Sequence, residues 1–145
     1  MKRSFIREIL EHTTHDTISF AGGLPDVSLF PHKALQASAY QALESPESLQ
    51  YSTSTGYAPL KARIAKLYSD RGFATRSENI LITYGSQQGL DIICRYHNGV
   101  SICIEEPSYL GALNIFTLNN MNTHSVPLGH DGIDLESFKN SIEQS

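Results

Sequence analysis

Apolar residues recur along this chain at two spacings, and the change from one to the other marks out its elements. Residues 4–12 read as a short helix, followed by an irregular stretch centred on Ala21-Gly22-Gly23-Leu24-Pro25. Pro31 opens a helix to about Leu43, which Ser45-Pro46 closes. The polar run Tyr51-Ser52-Thr53-Ser54-Thr55-Gly56 has no period and reads as a loop. Pro59 starts a helix with Leu60, Ile64, Leu67 and Tyr68 at helical spacing, and Gly72 ends it from the C-cap position. Then Ile80–Tyr84 is strand-like and Gln87 to about Tyr96 helical. Val100–Glu105 is a strand and Ser108 to about Leu118 a helix. His124–Pro127 is a short strand, and Asp134 caps a last helix with Leu135, Phe138 and Ile142 on one face.

Strands alternating with helices argue for βαβ units, hence an α/β fold with a mainly parallel sheet flanked by helices. The alternation is still running at Ser145, which predicts an incomplete sheet with exposed apolar edges. With 145 residues, 40% hydrophobic and 18% charged, the composition is that of a globular domain. A net charge of −4 with scattered Lys and Arg offers no basic face for nucleic acid. No apolar run approaches the roughly 20 residues a bilayer requires. The charged start MKRSFIREILEH is not a signal peptide, so a cytoplasmic address is expected. Cys94 and Cys103 fit neither a disulfide framework nor a ligand spacing and read as core thiols. His12 and His15 could share a helix face, but no third ligand stands near them, so no metal site is expected.

Two junctions carry chemistry. In Thr83-Tyr84-Gly85-Ser86-Gln87-Gln88-Gly89 a buried strand ends, Gly85 allows a tight turn, and Ser86 stands where a helix N-cap would be. Free N–H groups and the helix dipole attract a dianionic phosphate there, and the Ser86 hydroxyl and Gln87 amide can add hydrogen bonds. An ordinary strand–turn–helix with a serine cap has the same sequence. In Glu105-Glu106-Pro107-Ser108-Tyr109, at the carboxyl end of the next strand, an aromatic is presented where open α/β sheets bind ligands. Tyr109 could stack on a flat ring or simply pack beneath a loop.

Several segments together resemble class I and II aminotransferases of the pyridoxal-phosphate (PLP) fold type I, nearest the branch of 2-aminoadipate and aromatic aminotransferases and MocR-type regulators. They are Ile18–Pro25 with Leu29-Phe30-Pro31, Tyr51 with Gly56-Tyr57 and Pro59-Leu60, Tyr84–Asp91, Glu106–Tyr109 with Gly111-Ala112, and Asp131–Leu135. The resemblance implies an N-terminal arm with helices over 1–50 and part of the PLP-binding large domain over 51–145. It implies that Gly85, Ser86 and Gln87 hold the PLP phosphate and that Tyr109 stacks on the pyridine ring. Tyr51 would reach the phosphate of a neighbouring subunit's cofactor across a homodimer, or else is a solvent-facing loop tyrosine. Gly23 would lie near the carboxylate of an amino acid or 2-oxo acid substrate. Gly22 and Gly23 fit turn positions needing positive φ as well.

Three groups that PLP chemistry needs have no match here: the lysine that carries the cofactor, the acid on its pyridine nitrogen and the arginine for the substrate carboxylate. The lysines present are Lys2, Lys33, Lys61, Lys66 and Lys139, none in the family's serine–lysine context, and helical Asp91 is not the pyridine partner. The stretch Cys94–Val100 is about two residues shorter than usual, so helix and strand should be joined differently. The expected function is an N-terminal portion of an aminotransferase, inactive alone and associating with itself or with a complementary chain. The alternative is a non-catalytic effector-sensing or dimerisation module derived from a MocR-type regulator or an aminotransferase.

Overall fold

A computed structural model of the chain describes residues 11, 12, 14, 16–18, 20 and 23–143. The helix expected over 4–12 lies outside these residues except for Glu11 and His12, as do His15, Gly22 and Lys2. The chain divides into two compact units, Met1–Ser52 and Thr53–Ser145.

In the first unit, Asp26 accepts the Ser28 N–H at 2.8 Å and caps the 3-10 turn Val27–Leu29. Pro31 then stands at the N-cap of helix α1 (His32–Glu44), which ends at Ser45 because Pro46 cannot continue it and instead opens the 3-10 turn Pro46–Leu49. No residue of α1 is buried.

The second unit opens with a turn, Thr53–Gly56, closed by the Gly56 N–H on the Thr53 carbonyl at 2.9 Å. Helix α2 (Ala58–Asp70) follows, with Pro59 in its first turn. Its end is a Schellman motif: Gly72 at φ +93° donates to the Ser69 carbonyl and Phe73 to that of Tyr68, and the Tyr68 and Phe73 rings meet edge to face. Helix α3 (Gly85–Tyr96) leads through His97–Gly99 into strand β1 (Ser101–Glu106). The shortened 94–100 connection is met by a turn in which Val100 donates to the His97 carbonyl and Gly99 takes φ +84°. Helix α4 (Leu110–Leu118) ends in a second Schellman motif, with Asn120 at φ +52° in place of glycine and Met121 donating to the Phe116 carbonyl. Strand β2 (Asn122–Gly129) pairs in parallel with β1, from Ser101 opposite Asn122 to Glu106 opposite Pro127. It then turns back at His130-Asp131 into the short antiparallel β3 (Gly132–Ile133). Helix α5 (Leu135–Glu143) is capped as expected, with the Asp134 carboxylate accepting the Ser137 N–H at 2.7 Å. The architecture is an α/β one with a mixed sheet in the order β1-β2-β3.

Two expectations need correction. Ile80–Tyr84 is not a strand of the β1–β2 sheet. Ile80 is extended but Tyr84 is not, and among the described residues the segment's one backbone bond to another segment runs from the Ile82 N–H to the Thr55 carbonyl at 3.1 Å. Neither the Leu81 nor the Thr83 N–H has a backbone partner among the described residues. Extended geometry becomes a strand only when a neighbour lies alongside, and that pairing is not local. The second correction concerns the core. Cys94 is buried, but Cys103 is only partly so, since β1 has no residue that is fully covered. Among the described residues Ala65, Cys94, Gly111 and Val126 are buried, while Leu60, Leu67, Leu81 and Ile93 stand exposed.

Candidate functional site

The turn before α3 is shaped by side chains that flank it. Gly85 takes φ +80°, which a residue with a Cβ rarely adopts, and no atom lies within 4 Å of where a Cβ would stand. Thr83 donates its hydroxyl to the Gly85 carbonyl at 3.0 Å, and the Gln88 amide oxygen accepts the Tyr84 N–H at 2.6 Å. The internal bonds of the turn are thus made by Thr83 and Gln88. The N–H groups of Gly85, Ser86 and Gln87, in the first turn of α3, have no carbonyl to bond within the helix. The Ser86 hydroxyl and the Gln87 amide make no recorded hydrogen bond among the described residues, and both side chains are exposed. Ser86 is not the N-cap: that position belongs to Tyr84, and Ser86 lies inside the first turn. The helix starts earlier than expected because Gly85 itself turns the chain.

The segment behind this turn is held against Thr53–Gly56. Gly56, at φ +107°, lies so close to Ile82 that a Cβ would fall on the Ile82 side chain. Thr53 donates to the Gly56 carbonyl at 2.9 Å, and Lys61 reaches the Thr55 hydroxyl at 3.0 Å.

Tyr109 sits at the N-cap of α4, after β1 ends and a cis Glu106–Pro107 bond redirects the chain. The Ser108 hydroxyl donates to the Glu105 carbonyl. Tyr109 is 54% exposed, and the hydroxyl end of its ring lies over Gly111, where a Cβ would meet it. Helices α3 and α4 pack on each other, and the Asn119 amide bridges them by donating to Asp91 at 2.8 Å. That bond, followed by the Arg95 guanidinium at 2.8 Å, holds the Asp91 carboxyl below its ordinary range. β1 and β2 are parallel, with α4 as the connection between them. Ser86 lies in the first turn of α3 and Tyr109 at the N-cap of α4. The surface clefts beside α2 are lined by other residues, among them Leu60, Ile64, Tyr68 and Ile82 in one and Ser69, Gly72 and Arg76 in the other. Ser86, Gln87 and Tyr109 stand instead on open surface.

In the first unit Gly23 takes φ +58°, and beyond its chain neighbours no atom of the described residues lies within 4 Å of a would-be Cβ. Tyr51 is 99% exposed, and its backbone N–H donates to the Gln50 amide at 2.8 Å. Gln88, Gly56 and Gly111 stand in the segments that carry the family resemblance and Thr83 in the junction before α3, but none of them has an expected role of its own. Gln88 had a local signal, an amide at the end of the first helical turn able to reach back to the backbone. The two glycines belong to resembling segments, but their contacts have no local signal, because what they make room for lies elsewhere in the chain or folds back over it.

The family model for aminotransferase class I and II matches residues 16–145. The chain is 40% identical to a 2-aminoadipate transaminase of Thermus thermophilus over 99% of its own length and 36% of the relative's. It is 33% identical to the probable rhizopine catabolism regulatory protein MocR of Rhizobium meliloti, over 87% of this chain and 27% of that protein. A crystal structure of kynurenine aminotransferase from Pyrococcus horikoshii, in complex with PMP, superposes with a TM-score of 0.79 at 31% identity, covering 99% of this chain and 37% of that one. The chain thus spans about a third of the length of the relatives it matches.

Proposed function

Since this chain belongs to the class I and II aminotransferase family, we propose that it supplies the phosphate- and ring-holding part of a pyridoxal-phosphate site in a protein that moves an amino group between an amino acid and a 2-oxo acid. The observation that carries this reading is the open turn at the start of α3, where Thr83 and Gln88 satisfy the turn itself and leave donors at Gly85, Ser86 and Gln87 pointing at no partner. Three backbone N–H groups, one hydroxyl and one amide at a helix N-terminus suit a phosphate dianion. Tyr109 heads the neighbouring helix and offers an aromatic face to a pyridine ring. When bound, the cofactor supplies an electron sink for the bond changes of amino transfer. The residues of this chain hold and orient it. Gly23 offers an unhindered backbone to a substrate carboxylate, and exposed Tyr51 is available to a second subunit's cofactor.

The chain alone is proposed to be inactive. Lys66 is paired with Asp70 on α2, Lys61 is bonded to Thr55, and Lys33 and Lys139 belong to α1 and α5. None follows a serine, as the family's cofactor lysine does.

The test uses pyridoxine 5′-phosphate, which keeps the ring and phosphate but has no carbonyl to react with surface lysines. Titration should show binding, weakened about tenfold or more by Ser86→Ala with Gln87→Ala, as expected for losing two hydrogen bonds to a charged group. Binding indifferent to both changes would remove the site. Amino transfer from 2-aminoadipate or an aromatic amino acid to 2-oxoglutarate should be absent with PLP present, and any turnover would refute the inactivity.

A non-catalytic effector-sensing or dimerisation module is the second reading, favoured by the similarity to MocR. Adding a polypeptide with the unmatched remainder of the Thermus transaminase separates the two: recovered turnover supports the enzyme, and binding without recovery supports the module.

A further inference from the structure

Gly111 is buried in the first turn of α4, and a Cβ built on it would land on Cζ and the hydroxyl oxygen of Tyr109. The ring that would collide is the far end of a half-exposed side chain, not backbone. Gly56 makes the opposite case. A Cβ there meets the branched base of Ile82 and the backbone is at φ +107°, so that glycine serves the fold itself. At 111 the backbone is ordinary helix, where alanine is favoured over glycine. The nearest atoms that a Cβ at 111 would meet all belong to the Tyr109 ring. The Tyr109 hydroxyl makes no recorded hydrogen bond among the described residues, so contact with the bare backbone of residue 111 is what keeps the ring folded over its own helix.

We propose that Gly111 is a positioning residue for Tyr109: by carrying no side chain it seats the ring against α4 and leaves the outer face turned to a flat ligand held from the Gly85–Gln87 turn. The proposal rests on the cofactor-site reading given above. A methyl group at 111 would lift the ring off its seat without disturbing the helix.

The chain is prepared with 3-fluorotyrosine, and among its 7 tyrosines the Tyr109 resonance is identified by its loss in Tyr109→Phe. Gly111→Ala should shift that resonance alone and leave the thermal midpoint unchanged or raised. Affinity for pyridoxine 5′-phosphate should fall about three- to tenfold, the scale of one aromatic contact. In a Tyr109→Ala background the same change at 111 should cost nothing further, because the two effects run through one ring. An unmoved Tyr109 resonance overturns the proposal, as does an equal loss of affinity with residue 109 already alanine. If the unaltered chain binds no pyridoxine phosphate, the cofactor site fails and the positioning role fails with it. A failed seat differs in leaving binding intact and insensitive to residue 111.

Discussion

Ser86 and Gln87 owe their freedom to Thr83 and Gln88, which take up the bonds the turn would otherwise demand of them. Gln88→Ala should therefore weaken pyridoxine phosphate binding although this amide already serves Tyr84, because the released Tyr84 N–H and a looser turn misplace the donors. The stability cost should be about 0.5–1 kcal/mol, the low end for a hydrogen bond, since the bond is solvent-exposed. Urea titration reads the cost and ligand titration the affinity. Asp91 gives a pH signature at the same scale. Its carboxyl is held below the ordinary 3.8 by the Asn119 amide first and Arg95 second. The folded state thus prefers the charged form, so the stabilisation is fully present above the ordinary aspartate range and is lost as pH falls through the lowered folded value. Urea midpoints between about pH 6 and pH 3 should decline more steeply for the unaltered chain than for Asp91→Asn, which has no carboxyl to protonate.

At the scale of elements, helix ends follow local chemistry. Gly72 at φ +93° closes α2 with both Schellman bonds, and Gly72→Ala should cost about 1 kcal/mol by forcing a Cβ into the left-handed region. Asn120→Gly, at φ +52° in the matching position after α4, should be neutral or slightly stabilising. Thermal melts of the two variants should move in these different ways. Such ends were legible in the sequence: Pro31, Pro59, Gly72 and Asp134 lie where the expected helices start or stop, because capping and φ restriction act within a few residues. Ile80–Tyr84 was misread for the opposite reason. Its branched, apolar composition is strand-like, but pairing depends on a neighbour that periodicity does not report. Within the candidate site, Gly85 was legible as a turn glycine, whereas the seat that Gly111 gives Tyr109 appears only once the ring is in place.

For the molecule as a whole, the balance of covered and uncovered apolar surface sets its behaviour. Leu60 and Leu67 on α2, Leu81 beside it, and Leu35, Tyr40 and Leu43 on α1 all stand exposed, while few described residues are buried. Contiguous apolar surface beyond a few hundred Å2 is unusual on a stable monomer. The chain at low concentration should accordingly scatter light as oligomers or aggregates, with weak tyrosine dichroism. A monodisperse monomer at that concentration would refute this. The Leu81 and Thr83 N–H groups, without a backbone partner among the described residues, also bear on the kinetic order of the loss. If one copy's edge is covered by another copy, the rate-limiting encounter is bimolecular, and the half-life of dissolved chain shortens in inverse proportion to its concentration. If an edge can be satisfied only within one chain, the half-life is indifferent to dilution. A dilution series timed after removal of denaturant would thus show, from the order of a rate law, whether that edge seeks company.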